Sequence, residues 1–240
     1  VDFLENIGMP AYKVASFEIN DIQLLRKIAK TGKPIIMATG IAELADIEQA
    51  LKTCIEAGND QVILLKCTSA YPTPYDEVNI NMLKTLRETF GCLVGISDHT
   101  FGATVPILSV AMGGKMIEKH VTLKRSDGGT DSEFSMEMEE FEEMCKQVRM
   151  AEQAMGTSRY YLTDSQKMER HFSRSLFIAE DMEAGEIITE NNVRSVRPAD
   201  GMHTMYFEDI VGKKVNRKLI KGTPMMWKFI DWSEDEEKKK

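Results

Sequence analysis

Short apolar, β-branched runs alternate with helical patterns from the first residue to about residue 156, and this alternation constrains the fold most. The runs predict five strands, at residues 11–16, 33–39, 61–67, 92–96 and 115–121. Apolar residues recur at helical spacing between and after them, at about 21–31, 42–57, 81–90, 104–112 and 136–155. Strict alternation of strand and helix is typical of βα units around a parallel sheet.

Five βα units are compatible with an open doubly wound sheet or with most of a (βα)8 TIM barrel. In a barrel, the ends of all strands meet at one central site, whereas in an open sheet only those near the switch point meet. Polar residues lie at or just beyond the carboxyl end of every predicted strand: Ser16 and Glu18, Thr39, Ser69 and Tyr71, residues 97–99, and residues 120–122. The sequence therefore predicts an α/β fold, a TIM barrel whose early strands are missing from this chain.

The sequence after the barrel segment, residues 1–156, changes character twice. Residues 157–172 are mostly polar and predict a linker. Residues 173–232 contain short strand-like runs at 175–178, 193–196 and 214–215, separated by turn signals, and predict a small β-rich domain. Residues 233–240 form a charged tail that we expect to be solvated.

Composition excludes several classes of protein. The 240 residues are 42% hydrophobic and 28% charged, which predicts a folded chain. A net charge of −8 disfavours binding to nucleic acid or to anionic lipid, and no apolar run approaches the roughly 20 residues of a membrane span. The four cysteines lack CxxC spacing, so we expect reduced, buried thiols in a cytoplasmic protein. The chain starts at Val1 without a leader, so we expect it to begin inside a longer one.

Two histidines end successive predicted strands, His99 in Ser-Asp-His-Thr and His120 in Glu-Lys-His. Neutral imidazoles on neighbouring strands can share one divalent metal ion. Either histidine alone is more simply explained as a hydrogen-bonded residue near the core. Their matching positions favour a metal site.

Other polar residues near the strand ends are candidate ligands for a substrate. Residues 125–132 contain two glycines and Asp131, which could hold a metal-bound water or a hydroxyl group, although a plain surface loop explains the same residues. Lys13, Ser16 and Glu18, with Lys66 and Lys119 on later strands, are candidate binders of phosphate, carboxylate or sugar groups. The two prolines of residues 67–75 make a stiff loop that presents Ser69 and Tyr71.

Five strings, read in order, resemble the sialic acid synthase family. They are Tyr-Lys-Val-Ala-Ser (12–16), Ala-Thr-Gly (38–40), Cys-Thr-Ser-Ala-Tyr-Pro-Thr-Pro (67–74), Ser-Asp-His-Thr (97–100) and Glu-Lys-His (118–120). The resemblance implies a TIM barrel that condenses phosphoenolpyruvate with a 2-acetamido sugar. It also implies that residues 173–232 are a SAF domain, an antifreeze-like β-clip module.

The resemblance also implies roles for individual residues. His99 and His120 would bind the metal, Mn²⁺ or otherwise Mg²⁺ or Co²⁺. Asp131 and Glu18 would be the catalytic carboxylates, the first bonded to metal-bound water or sugar and the second to the sugar. The substrate-binding residues would be Lys13, Ser16, Ser69, Tyr71, Ser97 and Arg197, where Arg197 enters the barrel of the partner in a domain-swapped homodimer.

Within the family, the loop at residues 127–132 and Ser-Ala-Tyr at 69–71 look more like pseudaminic acid synthases than N-acetylneuraminate or legionaminate synthases. We therefore expect 2,4-diacetamido-2,4,6-trideoxy-altrose as the sugar. A metal-dependent pyruvate aldolase and a non-catalytic sugar-phosphate binding protein remain as alternatives. Metal content would separate the catalytic from the non-catalytic class.

Overall fold

The computed structural model describes residues 1–232, and the predicted charged tail at 233–240 lies outside the described residues. The chain divides into two compact units, an N-terminal unit from Val1 to Thr157 and a C-terminal unit from Ser158 onward. We describe each unit separately.

The N-terminal unit contains a five-stranded parallel sheet in the order β1-β2-β3-β4-β5. A doubly wound sheet reverses direction at a switch point, whereas each strand here adds beside the previous one, as in a barrel wall. The strands are β1 (Tyr12–Val14), β2 (Ile35–Ala38), β3 (Val62–Cys67), β4 (Leu93–Asp98) and β5 (Ile117–Lys119). The helices are α1 (Asp2–Asn6), α2 (Ile22–Ala29), α3 (Leu44–Glu56), α4 (Met82–Phe90), α5 (Thr104–Ala111) and α6 (Met138–Met155).

One ion pair demonstrates that the sheet is curled. Lys13 of β1 and Glu118 of β5 lie on its two edge strands, yet Lys13 Nζ and Glu118 Oε1 are 3.2 Å apart. In a flat sheet these strands would be about 19 Å apart, further than the two side chains reach together. The sheet therefore forms part of a barrel wall, and we call its concave side the lumen.

The two faces of the sheet have different cores. Alternate residues such as Val14, Met37 and Leu64 are fully buried against α2, α3 and α4. The residues between them, such as Leu65 and Cys67, form a smaller apolar cluster in the lumen. Truncating a fully buried residue such as Leu64 to alanine costs about 2–5 kcal/mol in free energy of unfolding. The helix-facing core thus holds the strand ends in place.

The ends of the helices follow the sequence signals. Asp21 precedes α2, and its side chain accepts a hydrogen bond from the backbone N–H of Leu24 at 3.0 Å. Gly91 ends α4 in the left-handed conformation, with φ of 67°, which favours glycine. The strands are shorter than predicted at most ends, and Ser16 lies in a 3₁₀ turn after β1 (Ser16–Glu18) instead of in the strand.

One expectation about the N-terminal unit is wrong, and the predicted linker contains more regular structure than its polar sequence indicates. Cys145 is exposed on the outward face of α6, and Cys92 is half-buried, so only Cys54 and Cys67 are buried thiols. The predicted linker contains a helix, α7 (Asp164–Glu169), followed by a 3₁₀ turn (Arg170–Phe172). Thr163 caps α7 by accepting a hydrogen bond from the N–H of Gln166, whose side chain accepts one from the N–H of Thr163.

The C-terminal unit is built from short antiparallel pairs around its own core. It contains β6 (Ser175–Ile178), β7 (Val193–Val196), α8 (Phe207–Ile210), β8 (Lys214–Val215) and β9 (Ile230–Asp231). β6 pairs with β7 and β8 pairs with β9, so the three strands predicted here are confirmed and β9 is additional. Leu176, Ile188 and Met225 are among its fully buried residues. Within residues 1–232, no helix is both long and apolar enough to cross a bilayer.

Candidate active site at the carboxyl ends of the strands

Two serines from different strand ends meet in the lumen. Ser16, just after β1, lies 2.7 Å from Ser69, just after β3, measured between their Oγ atoms. Gly40 after β2 leaves room for this contact, because a Cβ atom there would lie 2.2 Å from Ser69 Oγ and 3.2 Å from Ser16 Cβ. The hydroxyl pair therefore depends on the absence of a side chain at residue 40.

A carboxylate connects the first strand to the fourth and fifth. Glu118 Oε1 accepts a hydrogen bond from Ser97 Oγ at 2.7 Å and lies 3.2 Å from Lys13 Nζ. About a third of the Lys13 side chain is exposed, so this ion pair stays in contact with solvent. We call Lys13, Ser16, Ser69, Ser97 and Glu118 the lumen cluster.

His99 is buried at the end of β4, and its environment keeps the ring neutral. Its Nδ1 lies 3.0 Å from the carbonyl oxygen of Thr68, which favours the tautomer that carries its proton on Nδ1. Burial lowers the pKa of His99, a shift partly opposed by the Thr68 hydrogen bond. The ring therefore presents an unprotonated Nε2, the form that binds a metal ion.

Aromatic rings surround the two histidines. The ring centroids of His99 and His120 are 5.2 Å apart, and Tyr71 lies 4.2 Å from His99. Phe134 is buried, and its ring lies 5.0 Å from His120 and 6.0 Å from Tyr71. Burial raises the pKa of Tyr71, so its hydroxyl stays protonated at neutral pH.

Asp131 approaches this pair from the loop that follows β5. Its Oδ2 lies 3.7 Å from His120 Nδ1, and about half of its side chain is exposed. Gly128 and Gly129, with φ of 75° and 128°, give the loop a backbone that other residues rarely adopt. Asp131 therefore belongs to the site through a turn that depends on glycine.

Two lysines that we expected to be candidate ligands lie elsewhere. Lys119 is on the helix-facing side of β5, and its Nζ lies 2.6 Å from Asp98 Oδ2 with almost no exposed side-chain surface. Lys66 also points away from the lumen and donates to Cys67 O and Thr68 Oγ1 at 2.7 Å each. Successive strand residues face opposite sides of a sheet, so Lys119 and His120 do not share a face.

Two further predicted residues are exposed. Glu18 ends the 3₁₀ turn after β1, where its Oε2 accepts a hydrogen bond from the N–H of Ala15 at 3.0 Å. Arg197 is exposed after β7 in the C-terminal unit, before a cis peptide bond to Pro198. The structure therefore brings together Lys13, Ser16, Ser69, Tyr71, Ser97, His99, His120 and Asp131.

Three functional candidates were missed in the sequence. Glu118 belongs to the Glu-Lys-His motif, and it shares a face with His120 and lies in the lumen cluster. Phe134 carries no signal beyond its apolar character, and Gly40 carries none beyond its place in the Ala-Thr-Gly motif. Alternation along β5 would have identified Glu118, whereas the other two depend on contacts between distant segments.

The described residues offer two nitrogen ligands for a metal ion. Among residues 1–232, no group of three or more His, Cys, Asp and Glu side chains is arranged to hold a metal ion. His99 and His120 could supply two neutral nitrogen ligands, which suit divalent transition metals. The lumen cluster supplies an ammonium group and hydroxyl groups, which suit a phosphate or carboxylate.

Comparison with known proteins identifies the family. Residues 1–160 match the NeuB family, and residues 173–231 match the SAF domain. The chain belongs to the NeuB family. The resemblance to sialic acid synthases inferred from the five sequence strings is thereby confirmed, as is the assignment of a SAF domain.

Several characterised relatives resemble this NeuB-family chain along most of its length. It is 41% identical to the pseudaminic acid synthase of Campylobacter jejuni (strain 81-176) over 92% of this chain and 65% of that protein. It is 38% identical to the N,N'-diacetyllegionaminic acid synthase of C. jejuni (strain NCTC 11168), over 89% of this chain and 65% of that protein. The chain thus spans slightly less than two thirds of these relatives.

A solved structure supports the fold of the N-terminal and the C-terminal unit. The spore coat polysaccharide biosynthesis protein SpsE of Bacillus subtilis aligns with 97% of this NeuB-family chain and 71% of its own. The TM-score is 0.62 at 29% sequence identity. The curled parallel sheet and the SAF domain are therefore shared with a protein of known structure.

Proposed function

We propose that this protein is a pseudaminic acid synthase, which condenses phosphoenolpyruvate with 2,4-diacetamido-2,4,6-trideoxy-altrose. The observation that carries the proposal is the convergence of the lumen cluster and the two histidines at one end of the sheet. The 41% identity to a pseudaminic acid synthase supports the choice of sugar. The barrel is proposed to be completed by strands preceding β1.

The lumen cluster is proposed to bind phosphoenolpyruvate. Lys13 would donate to its carboxylate or phosphate, and the hydroxyl groups of Ser16, Ser69 and Ser97 would donate to the remaining oxygens. Charge-assisted hydrogen bonds of this kind are stronger than neutral ones. Tyr71 and Glu18 would bind the sugar, Glu18 after releasing the N–H of Ala15.

His99 and His120 are proposed to hold a divalent ion, Mn²⁺ or otherwise Mg²⁺ or Co²⁺. When bound, this ion supplies Lewis-acid polarisation of the sugar aldehyde. The Thr68 carbonyl keeps the proton of His99 on Nδ1, and burial keeps the ring from taking up a second proton. Asp131, close to His120, would accept a hydrogen bond from a water molecule or a sugar hydroxyl.

The proposed reaction forms one carbon–carbon bond and releases phosphate. C3 of phosphoenolpyruvate attacks the aldehyde carbon of the open-chain sugar, and the aldehyde oxygen takes up a proton. Water then adds to C2, and the resulting tetrahedral intermediate expels phosphate to give a nine-carbon 2-keto acid. Lys13 and the serine hydroxyls would donate hydrogen bonds that hold the phosphate and carboxylate in place.

The choice of sugar can be tested by phosphate release in the full-length protein. We expect faster phosphate release with 2,4-diacetamido-2,4,6-trideoxy-altrose than with N-acetylmannosamine or with epimers of the altrose sugar. A preference for N-acetylmannosamine would instead support an N-acetylneuraminate synthase. A preference for the legionaminate precursor would support the second candidate, which the 38% identity to a legionaminic acid synthase favours.

The metal site can be tested without turnover. Calorimetric titration of the metal-free protein with Mn²⁺ should give one site, and His99→Ala or His120→Ala should abolish it. Cys145→Ser is a suitable control, because Cys145 is exposed on α6. Unchanged binding in both histidine variants would contradict the assignment.

A domain-swapped homodimer is proposed as the working unit. Exposed apolar side chains follow four of the strands at the rim of the lumen, on Phe17, Ile41, Phe101 and Leu123, with exposures from 47% to 76%. Such a rim is a typical interaction surface, and we propose that the SAF domain of a second subunit covers it and inserts Arg197. A guanidinium group suits the acetamido carbonyl of the sugar.

Complementation tests the dimer. Full-length Arg197→Ala and His120→Ala should each be inactive alone, and mixing them should restore activity as subunits exchange. One barrel in the mixed dimer then has an intact His120 and receives Arg197 from its partner. If exchange is confirmed and activity stays absent, Arg197 does not act across the dimer.

A further inference from the structure

A buried ion pair lies directly behind the two histidines. Asp98 and Lys119 are register partners on β4 and β5, and their charged atoms are 2.6 Å apart. Their side chains are 2% and 1% exposed, respectively. Asp98 precedes His99 in the sequence, and Lys119 precedes His120.

The pair faces the helices, whereas the histidines face the lumen. Ile96 and Ile117, two residues earlier on the same strands, pack against Val105 of α5. Since side chains alternate along a strand, Asp98 and Lys119 share that helix-facing side. The ion pair therefore does not contact a ligand in the lumen.

A network around the pair fixes the backbone on both sides of His99. Asp98 accepts hydrogen bonds from the N–H of Thr100 at 3.0 Å and from its hydroxyl at 3.2 Å. Lys119 Nζ also donates to the carbonyl oxygen of Thr100. The ammonium group of Lys119 thus contacts residues 98 and 100, which flank His99. Lys119 itself is the residue before His120, so the network links the two histidines.

Stability alone does not explain this pair. Replacing a buried ion pair by apolar residues of similar size is often neutral or stabilising, because taking two charges out of water offsets their attraction. A fully satisfied buried network does, however, hold its members in one geometry. β5 spans three residues, and the N–H of Met136 donates to the carbonyl oxygen of His120. The buried network adds a second constraint, because it holds Lys119, the residue before His120.

We propose that Asp98 and Lys119 are positioning residues that set the separation and orientation of His99 and His120. The inference rests on the proposed metal-binding function of the two histidines. It assigns a role to charges that touch neither substrate nor metal ion. Groups hydrogen-bonded to a metal ligand typically change metal affinity by about 10- to 100-fold when they are replaced, and Asp98 and Lys119 act through the backbone that carries the two histidines.

The test uses the double variant Asp98→Leu/Lys119→Met in the full-length protein. It removes both charges together and replaces them by apolar side chains of similar shape. Thr100→Val is the milder variant, because it deletes one hydrogen bond to Asp98 without leaving a buried charge. Ile96→Ala is the matched control, since it opens a cavity on the same face of β4 without touching the network.

Two readouts separate positioning from stability. The first is the Mn²⁺ dissociation constant from calorimetric titration, which should rise about tenfold or more in the double variant. The second is the tautomer of His99 from ¹⁵N nuclear magnetic resonance of the metal-free protein. The wild type should hold the proton on Nδ1 against Thr68, and the variants should show a mixture of tautomers.

The expected result is a loss of tautomer order and of metal affinity in the double variant, with smaller changes in Thr100→Val. Ile96→Ala should lower the urea midpoint and leave both readouts unchanged. If the double variant and Thr100→Val both match the wild type, the inference is overturned. If the wild type itself binds no Mn²⁺, the proposed function fails, and the tautomer readout alone decides the positioning role.

Discussion

Two glycines in the lumen allow a direct test of which parts of the site serve binding and which serve folding. Neither has a positive φ, so alanine meets no backbone strain at Gly40 or Gly95 and the outcome depends on contacts. At Gly40 a Cβ would lie 2.2 Å from Ser69 Oγ, the end of a side chain that can rotate. At Gly95 it would lie 2.3 Å from the backbone oxygen of Met116, which can move only with its strand.

The contacts give different magnitudes for the two substitutions. Overpacking at Gly95 costs about 1–3 kcal/mol, from which the entropy lost by the unfolded chain removes about 0.4–1 kcal/mol. We therefore expect Gly95→Ala to lower the free energy of unfolding by about 1–2 kcal/mol. Gly40→Ala should cost less, about 1 kcal/mol or below. The lost Ser16–Ser69 hydrogen bond, about 1 kcal/mol, and the tight contacts of 3.1 Å with Cys67 Sγ and 3.2 Å with Ser16 Cβ are partly offset by the same entropy effect.

Gly40→Ala should impair substrate binding more than Gly95→Ala does, the reverse of their effects on stability. A hydrogen bond to a charged group is worth about 1.5–3 kcal/mol, so misplacing Ser69 should raise the KM for the proposed substrate phosphoenolpyruvate about 10- to 100-fold. Urea unfolding and steady-state phosphate release measure the two quantities, with the exposed Leu93→Ala as a control. A Gly40→Ala enzyme with the wild-type KM, or one as destabilised as Gly95→Ala, would refute this reasoning.

Three further predictions concern single titrating groups. Because burial lowers the pKa of His99 below its usual 6.5, the unfolded chain takes up that proton first, and stability should fall as pH drops below about 6.5. Urea midpoints between pH 5 and 8 should show this slope, and a His99→Asn variant with the same slope would contradict it. Burial and the hydrogen bond to Glu5 raise the pKa of Tyr12 to about 12, so Tyr12→Phe should remove the last step of an alkaline absorbance titration. Exposed Cys145 should react with a thiol reagent in the folded protein. Buried Cys54, with a pKa of about 11, should react only after unfolding. If the Cys145→Ser variant is still labelled rapidly, this prediction is wrong.

Elements with a strong periodic signal were predicted well from the sequence. All five strands of the N-terminal unit exist, in the order expected for a barrel wall, because the apolar runs are needed to fill cores on both faces of a parallel sheet. The strand positions at 175–178, 193–196 and 214–215 were also correct. The helix α7 was missed although Thr163 and Gln166 form a capping box that is readable in the sequence.

The candidate site was predicted less completely, for a geometric reason. Position at the end of a strand brought Ser16, Ser69 and His99 to the correct edge of the sheet. It does not decide which side of the sheet a residue faces, so Lys119 resembles a ligand candidate beside His120 although it pairs with Asp98 on the helix-facing side. Applying the two-residue period along β5 separates Glu118 and His120 from Lys119.

The charges of the lumen cluster place a condition on any anionic substrate. Lys13 is its cation and is already paired with Glu118, so the cluster has no net positive charge. Two like charges about 4 Å apart repel by about 1 kcal/mol in water and about 4 kcal/mol near a protein surface, so Glu118 opposes a phosphate bound beside it. The net charge of −8 offers no long-range attraction either. Compensation must therefore come from outside the cluster, which is what the proposed ion at His99 and His120 and the partner's Arg197 would provide.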